Sequence, residues 1–192
     1  MKRFLFFMAL LCIWCISFNS VKAVSNAELQ DTSRFEHIVS KGDTGGGDGK
    51  YIELSTLRDI STDARTKSIE TKIYVVLPSS DLIREYTIRY DYNLNYSFAN
   101  LVAKMPEFKE RFPDFYLGDI WKLKMDDSGI VGTVKAQQDY TLNGESKPAQ
   151  PGYKGYEHVT FLTPTDFDFE SYHVANRVFK KVFGVFYDDV IR

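Results

Sequence analysis

The sequence predicts an α+β fold, a curved antiparallel sheet of about six strands packed by a C-terminal amphipathic helix. Two observations carry this expectation. From Arg84 onward every second residue is apolar or aromatic: Tyr86, Ile88, Tyr90, Tyr92, Leu94, Tyr96 and Phe98, with Glu85, Thr87, Arg89, Asp91, Asn93, Asn95 and Ser97 between them. Period two sustained so long gives a strand with one buried and one wet face. One-sided burial favours antiparallel pairing, because buried parallel strands read as continuous apolar runs. The second observation lies near the other end. On a wheel of about 100° per residue, Tyr172, Val174, Ala175, Val178, Phe179, Val182, Phe183, Val185 and Phe186 fall within one half. His173, Arg177, Lys180, Lys181, Gly184 and Tyr187 fall within the other, so this helix lies with one side on a core.

The elements follow in order. Lys2 and Arg3 precede an uncharged apolar run from Phe4 to Phe18, then Val21 and Ala23 occupy the −3 and −1 positions of a cleavage site. Residues 1–23 read as a secretory signal whose removal leaves Val24 first. The run is short for a retained anchor, since a spanning helix needs about 20 residues. Neither Cys12 nor Cys15 follows the small residue that lipid attachment requires. Residues 24–49 read as a polar, glycine-rich linker, with a small helix around Glu28 to Val39 and the run Gly42-Asp43-Thr44-Gly45-Gly46-Gly47-Asp48-Gly49. That run is not a phosphate loop: Thr44 stands where the first glycine belongs, and Tyr51 replaces the Ser or Thr after Gly49-Lys50. Nor is it a calcium-binding repeat, of which one copy cannot stack.

Residues 50–192 form one α+β domain. Tyr51–Ser55 opens it as a strand. Ile69–Leu77 follows, with Thr71, Ile73, Val75 and Leu77 on one face and Tyr74 and Val76 on the other, ended by Pro78-Ser79-Ser80-Asp81. The alternating strand then runs to Phe98, long enough to demand a bend or bulge. Helical spacing predicts one or two short helices over 99–112. Trp121, Leu123 and Met125 alternating with Lys122 and Lys124 predict a strand over 120–125, joined through Asp126-Asp127-Ser128-Gly129 to another over 130–141. A polar loop covers 143–155 and a strand 156–162. Thr163-Pro164-Thr165-Asp166 carries helix-start chemistry before the final helix.

The chemistry-bearing residues exclude several classes. Both cysteines lie in the signal, so the mature chain has no disulfide, thiolate nucleophile or cysteine metal site. Cysteine-free export fits a bacterial envelope. Without Lys2, Arg3 and Lys22 the chain keeps 21 basic against 26 acidic residues, a net charge of −5, which disfavours nucleic acid. His37, His158 and His173 are scattered, with no H-x-x-x-H pair and no G-x-S-x-G elbow. Asp166, Asp168 and Glu170 fit a helix amino end better than a calcium site. Asn95-Tyr96-Ser97 matches a glycan acceptor but sits in a predicted strand.

Tyr51-Ile52-Glu53-Leu54-Ser55-Thr56-Leu57, a charged turn and the strand Ile69–Leu77 resemble the start of small exported bacterial proteins of the surface-adhesin-E-like kind. Ala175-Asn176, Phe179, Phe183-Gly184 and Phe186-Tyr187 resemble the end of other short exported proteins. The resemblance implies an envelope or surface protein and carries over no catalytic residue. The expectation is therefore an exported, non-enzymatic binding or assembly module without cofactor or metal. Its partner is a protein or cell surface, met at the sheet edge or the aromatic strand. It touches membrane only through the signal before cleavage. The alternative is a small-ligand pocket between sheet and helix lined by Tyr86, Tyr90, Trp121 and Phe179.

Overall fold

A computed structural model describes residues 24–38, 49–148, 158–162 and 169–191. The signal at 1–23, the glycine-rich run at 42–48, the helix-start residues 163–166 and Asp168 lie outside the described residues, as does part of the 143–155 loop. The strands are β1 (Phe35–Ile38), β2 (Gly49–Glu53), β3 (Arg58–Asp59), β4 (Thr66–Leu77), β5 (Leu82–Asn93), β6 (Ile130–Tyr140), β7 (Ser146–Lys147) and β8 (His158–Leu162). All pair antiparallel in one curled sheet of order β1-β2-β4-β5-β6-β7. β3 continues the β2 edge along β4, and β8 shares the β7 edge along β6, so the eight segments fill six strand positions.

The expected core strands are in place. β4 and β5 pair over their full length, Thr66 opposite Asn93 through Leu77 opposite Leu82. The alternation ends earlier than expected, at Asn93 rather than Phe98. The cause is capping chemistry inside the apolar pattern. The Asn93 side chain accepts from Asn95 N (3.2 Å), and Ser97 Oγ accepts from Asn100 N (3.2 Å) to start helix α1 (Phe98–Ala103). The bulge falls between Thr87 and Ile88, where Lys135 of β6 is skipped in the register.

Helices α2 (Met105–Arg111) and α3 (Leu117–Asp126) follow. α3 corrects the strand expected over 120–125. Apart from Ile120 its residues are not β-branched, and Leu, Lys and Met are good helix formers. Its start is fixed by Asp119 Oδ2 accepting from Tyr116 N (3.0 Å). The Asp127–Gly129 turn consequently joins a helix to β6, not two strands. Gly129 has φ +76°, and a Cβ there would lie 2.4 Å from the Tyr187 hydroxyl and 2.5 Å from Tyr96 Cβ. Gly129→Ala therefore combines left-handed strain with overpacking and should cost about 3 kcal/mol, a Tm lowering of about 10 °C by scanning calorimetry.

Both sheet faces carry a core. One holds Ile52, Ile69, Ile73, Tyr90, Tyr92 and Ile130 under helix α4 (Phe169–Phe183), whose Tyr172, Val174, Ala175, Val178 and Phe179 are buried as the wheel predicts. The helix stops at Phe183, short of the wheel, so Val185 from the apolar half is exposed and Tyr187 from the polar half is fully buried. Tyr92 donates its hydroxyl to Ala175 O (2.8 Å). The opposite face holds Tyr51, Tyr74, Val76, Ile83 and Tyr140 against Val24, Leu29 and Phe35. Residues 24–38 therefore are not linker. Ser25 and Glu28 form a reciprocal cap (Ser25 N to Glu28 Oε2, 2.9 Å; Glu28 N to Ser25 Oγ, 3.3 Å) on a single 3-10 turn, Glu28–Gln30, in place of the expected helix. β1 then pairs with β2, and Glu36 reaches Lys181 of α4 at 2.9 Å.

Candidate docking surface at the helical end

The four residues expected to line a pocket are divided between the sheet-facing core and α3. Tyr90 and Phe179 are buried in the same packed core, where Phe179 meets Tyr92 edge-on at 4.9 Å between ring centres. Tyr86 is half-buried on the same sheet face, opposite Ile73 and Gln137. Trp121 lies on α3, 45% exposed, with its ring 4.6 Å from Phe98. The aromatic strand is also not a free binding surface. β5 is paired on both sides, and Tyr90 and Tyr92 are core residues.

His37 stacks on Tyr51 at 4.6 Å. His173 is half-buried on α4, where burial, then the Arg177 charge, push its pKa below the ordinary value. Among the described residues no three His, Cys, Asp or Glu side chains gather as a metal would require. No described helix is long and apolar enough to cross a membrane.

The most concentrated polar chemistry is a buried clamp. Lys124 is fully buried, and its ammonium donates to Tyr96 O (2.9 Å) and Ser128 O (2.8 Å) while pairing with Asp188 Oδ1 (2.8 Å). It also sits 4.7 Å from the centre of the Tyr187 ring. Asp188 further accepts from the Tyr172 hydroxyl, from Asn176 Nδ2 (3.2 Å) and from Phe98 N (3.1 Å). Burial pushes the Lys124 pKa down, against the raising effect of Asp188. Burial also acts to raise Asp188, but the Lys124 charge and the hydrogen bonds from Lys124, Tyr172 and Asn176 outweigh it and hold the carboxyl below its ordinary value. With all three ammonium hydrogens engaged, Lys124 is a strut and not a nucleophile. It fastens the tail after α4 to α1 and α3, helped by Ser97 Oγ donating to Val190 O (2.5 Å) and the Tyr187 hydroxyl donating to Asn93 O (2.6 Å).

That strut turns α3 inside out. Its buried positions are Ile120 and Lys124, while Leu117, Trp121 and Met125 form an i, i+4, i+8 stripe toward solvent. Phe112 (61% exposed), Tyr116 and Leu123 stand exposed beside it. Of the exposed large hydrophobic residues described, only Val185 and Ile191 fall outside residues 96–125. Lys122 lies over the Tyr116 ring (5.5 Å) and bonds Asp119 Oδ1 (2.9 Å). That bond and the Tyr116 amide hold the Asp119 carboxyl below its usual range. Between α3 and the Arg111–Phe115 connection runs an open groove of about 590 Å³, with Phe112, Pro113, Phe115 and Leu123 among its lining.

This surface could be found in the sequence only by reading 117–125 as a helix, because the stripe appears at period 3.6 and vanishes at period two. No protein-family model matches the chain, and no curated protein or solved structure matches it.

Proposed function

We propose that the chain is an exported bacterial envelope or surface protein that acts without catalysis, docking a protein partner on its helical end. One observation carries this reading: the exposed apolar set Phe112, Tyr116, Leu117, Trp121, Leu123 and Met125 on and beside α3. Together these side chains offer on the order of 500 Å² of apolar surface, near the upper end of what monomers leave open and most of one side of a standard interface, about 800 Å². Aromatic and methionine enrichment is typical of interface centres. Export is supported by the basic start, the apolar run Phe4–Phe18 and Ala23.

A photo-crosslinking residue placed at Trp121 in the full chain, in a bacterial cell, should give a discrete adduct in the envelope fraction. The same residue at exposed Glu145, in the turn between β6 and β7, should give none, and Leu117→Glu should abolish the Trp121 adduct while leaving Tm within about 2 °C, as for a surface change. Adducts at both positions, at neither, or only in the cytoplasm overturn the reading.

A further inference from the structure

The groove beside the stripe has a charge pattern that narrows its occupant. Its volume, about 590 Å³, lies within the range of sites that swallow a large side chain or small ligand, about 300–1,000 Å³. Its lining joins Phe112, Pro113, Phe115 and Leu123 to the charged residues Arg111, Asp114, Asp119, Lys122 and Asp126. Of the rim groups, Asp119 and Lys122 satisfy each other at 2.9 Å. Asp114 and Asp126 line the same groove, and neither makes an ion pair among the described residues. Asp126 also closes the last turn of α3, where outward carbonyls add negative potential. Arg111 supplies one positive charge at the rim, so the unpaired rim charge is net negative.

Position restricts the occupant further. Asn26 N donates to Leu142 O (2.9 Å) and Leu142 N to Asp81 Oδ1 (3.0 Å), which places Val24 at the Leu82 end of β5. The helices leave from its Asn93 end, where Asn93 N donates to Gly129 O (2.8 Å). The twelve-residue strand puts those ends on the order of 35 Å apart. Val24, the first described residue, therefore lies at the end of the fold remote from the groove.

Resting on the docking reading above, we propose that the groove takes a large apolar side chain flanked by lysine or arginine, presented by a segment of a partner protein. The apolar anchor fills the space over Phe112 and Leu123, and the flanking cation sits between Asp114 and Asp126. Pairing with the same groove of a second copy fits less well, since that rim is also net negative, and an anionic lipid surface is repelled by the same carboxylates.

The test uses two twelve-residue peptides, each with a central tryptophan, one flanked by lysines and the other by glutamates, titrated into the protein at low salt with anisotropy as readout. The lysine peptide should bind about fivefold tighter, the sum of two exposed ion pairs. Asp114→Asn with Asp126→Asn should reduce that preference to below about twofold while binding persists, and Leu123→Asp should weaken both peptides. Equal affinities, a preference that survives the double Asn variant, dimerisation seen by sedimentation that Leu123→Asp abolishes, or binding only to phosphatidylcholine vesicles overturns the proposal. If the Trp121 adduct forms while the lysine preference is absent, the docking reading stands and the groove assignment falls. If both are absent, both fall.

Discussion

Asp188→Ala is expected to destabilise the protein by about 3–5 kcal/mol, because it removes the carboxylate that pairs directly with a fully buried ammonium. Two backbone carbonyls, Tyr96 O and Ser128 O, would still accept from Lys124. They offer dipoles and not a charge, and Asp127 acts on Lys124 without an ion-pair contact, so most of the desolvation cost would stand uncompensated. Lysine has one escape, which is to release its proton. Each unit by which its pKa falls costs about 1.4 kcal/mol, so neutralisation from its ordinary value to pH 7 limits the damage to about 5 kcal/mol. Lys124→Met combined with Asp188→Asn removes both charges at similar volume and should return to within about 2 kcal/mol of the parent. Urea unfolding followed by circular dichroism measures all three proteins. A loss below 1 kcal/mol for Asp188→Ala would mean that the tail is not held through this pair.

The same pair fixes the sign of an acid effect. Asp188 titrates below its ordinary value in the folded chain. Its contribution is thus complete above the unfolded carboxyl value, near 3.8, and is lost as pH falls through the folded one. Asp188→Asn should therefore show a shallower loss of stability on acidification than the parent, although it starts lower at pH 7.

How much of this was legible in the sequence depends on whether the determining contact was local. β4, β5 and α4 each carry their own periodicity, over nine residues or more, and each is legible in the sequence, although β5 stops early at Asn93 and α4 at Phe183. α3 was misread because Trp121 to Met125 satisfies period two over five residues as well as it satisfies a helix. Its orientation was hidden more deeply. Local sequence does not say that Lys124 faces inward and Trp121 outward, because only one of Lys124's three acceptors, Ser128 O, is near in sequence, whereas Tyr96 O and Asp188 are 28 and 64 positions away. The candidate surface follows from that inversion, so it was invisible for the same reason. The segment 24–38 is a different case. Its Ser25–Glu28 cap is a local signal that could have been read. The burial of Phe35 could not, since it needs β1 to find β2 across the glycine-rich run.

Phe179→Ala, the other large effect, separates the two kinds of aromatic residue this fold contains. Phe179 is 2% exposed and packs against Tyr92 at 4.9 Å, Phe183 at 4.6 Å and Tyr187 at 5.7 Å. Its removal leaves a cavity where α4, β5 and the tail meet. Three rigid rings cannot collapse to fill it, so the cost should approach the full range for a buried phenylalanine, about 3–5 kcal/mol. Trp121→Ala deletes a larger side chain, but one 45% exposed with a single ring contact, to Phe98, among the described residues. It should cost about 1 kcal/mol. Burial and not size sets this order, and thermal and urea unfolding of the two variants side by side would measure it. If Trp121→Ala proved the more damaging, α3 would belong to the core and the stripe could not be a docking surface. A Phe179→Ala protein as stable as its parent would mean that α4 does not cover the sheet, and the order of that core face would need another source.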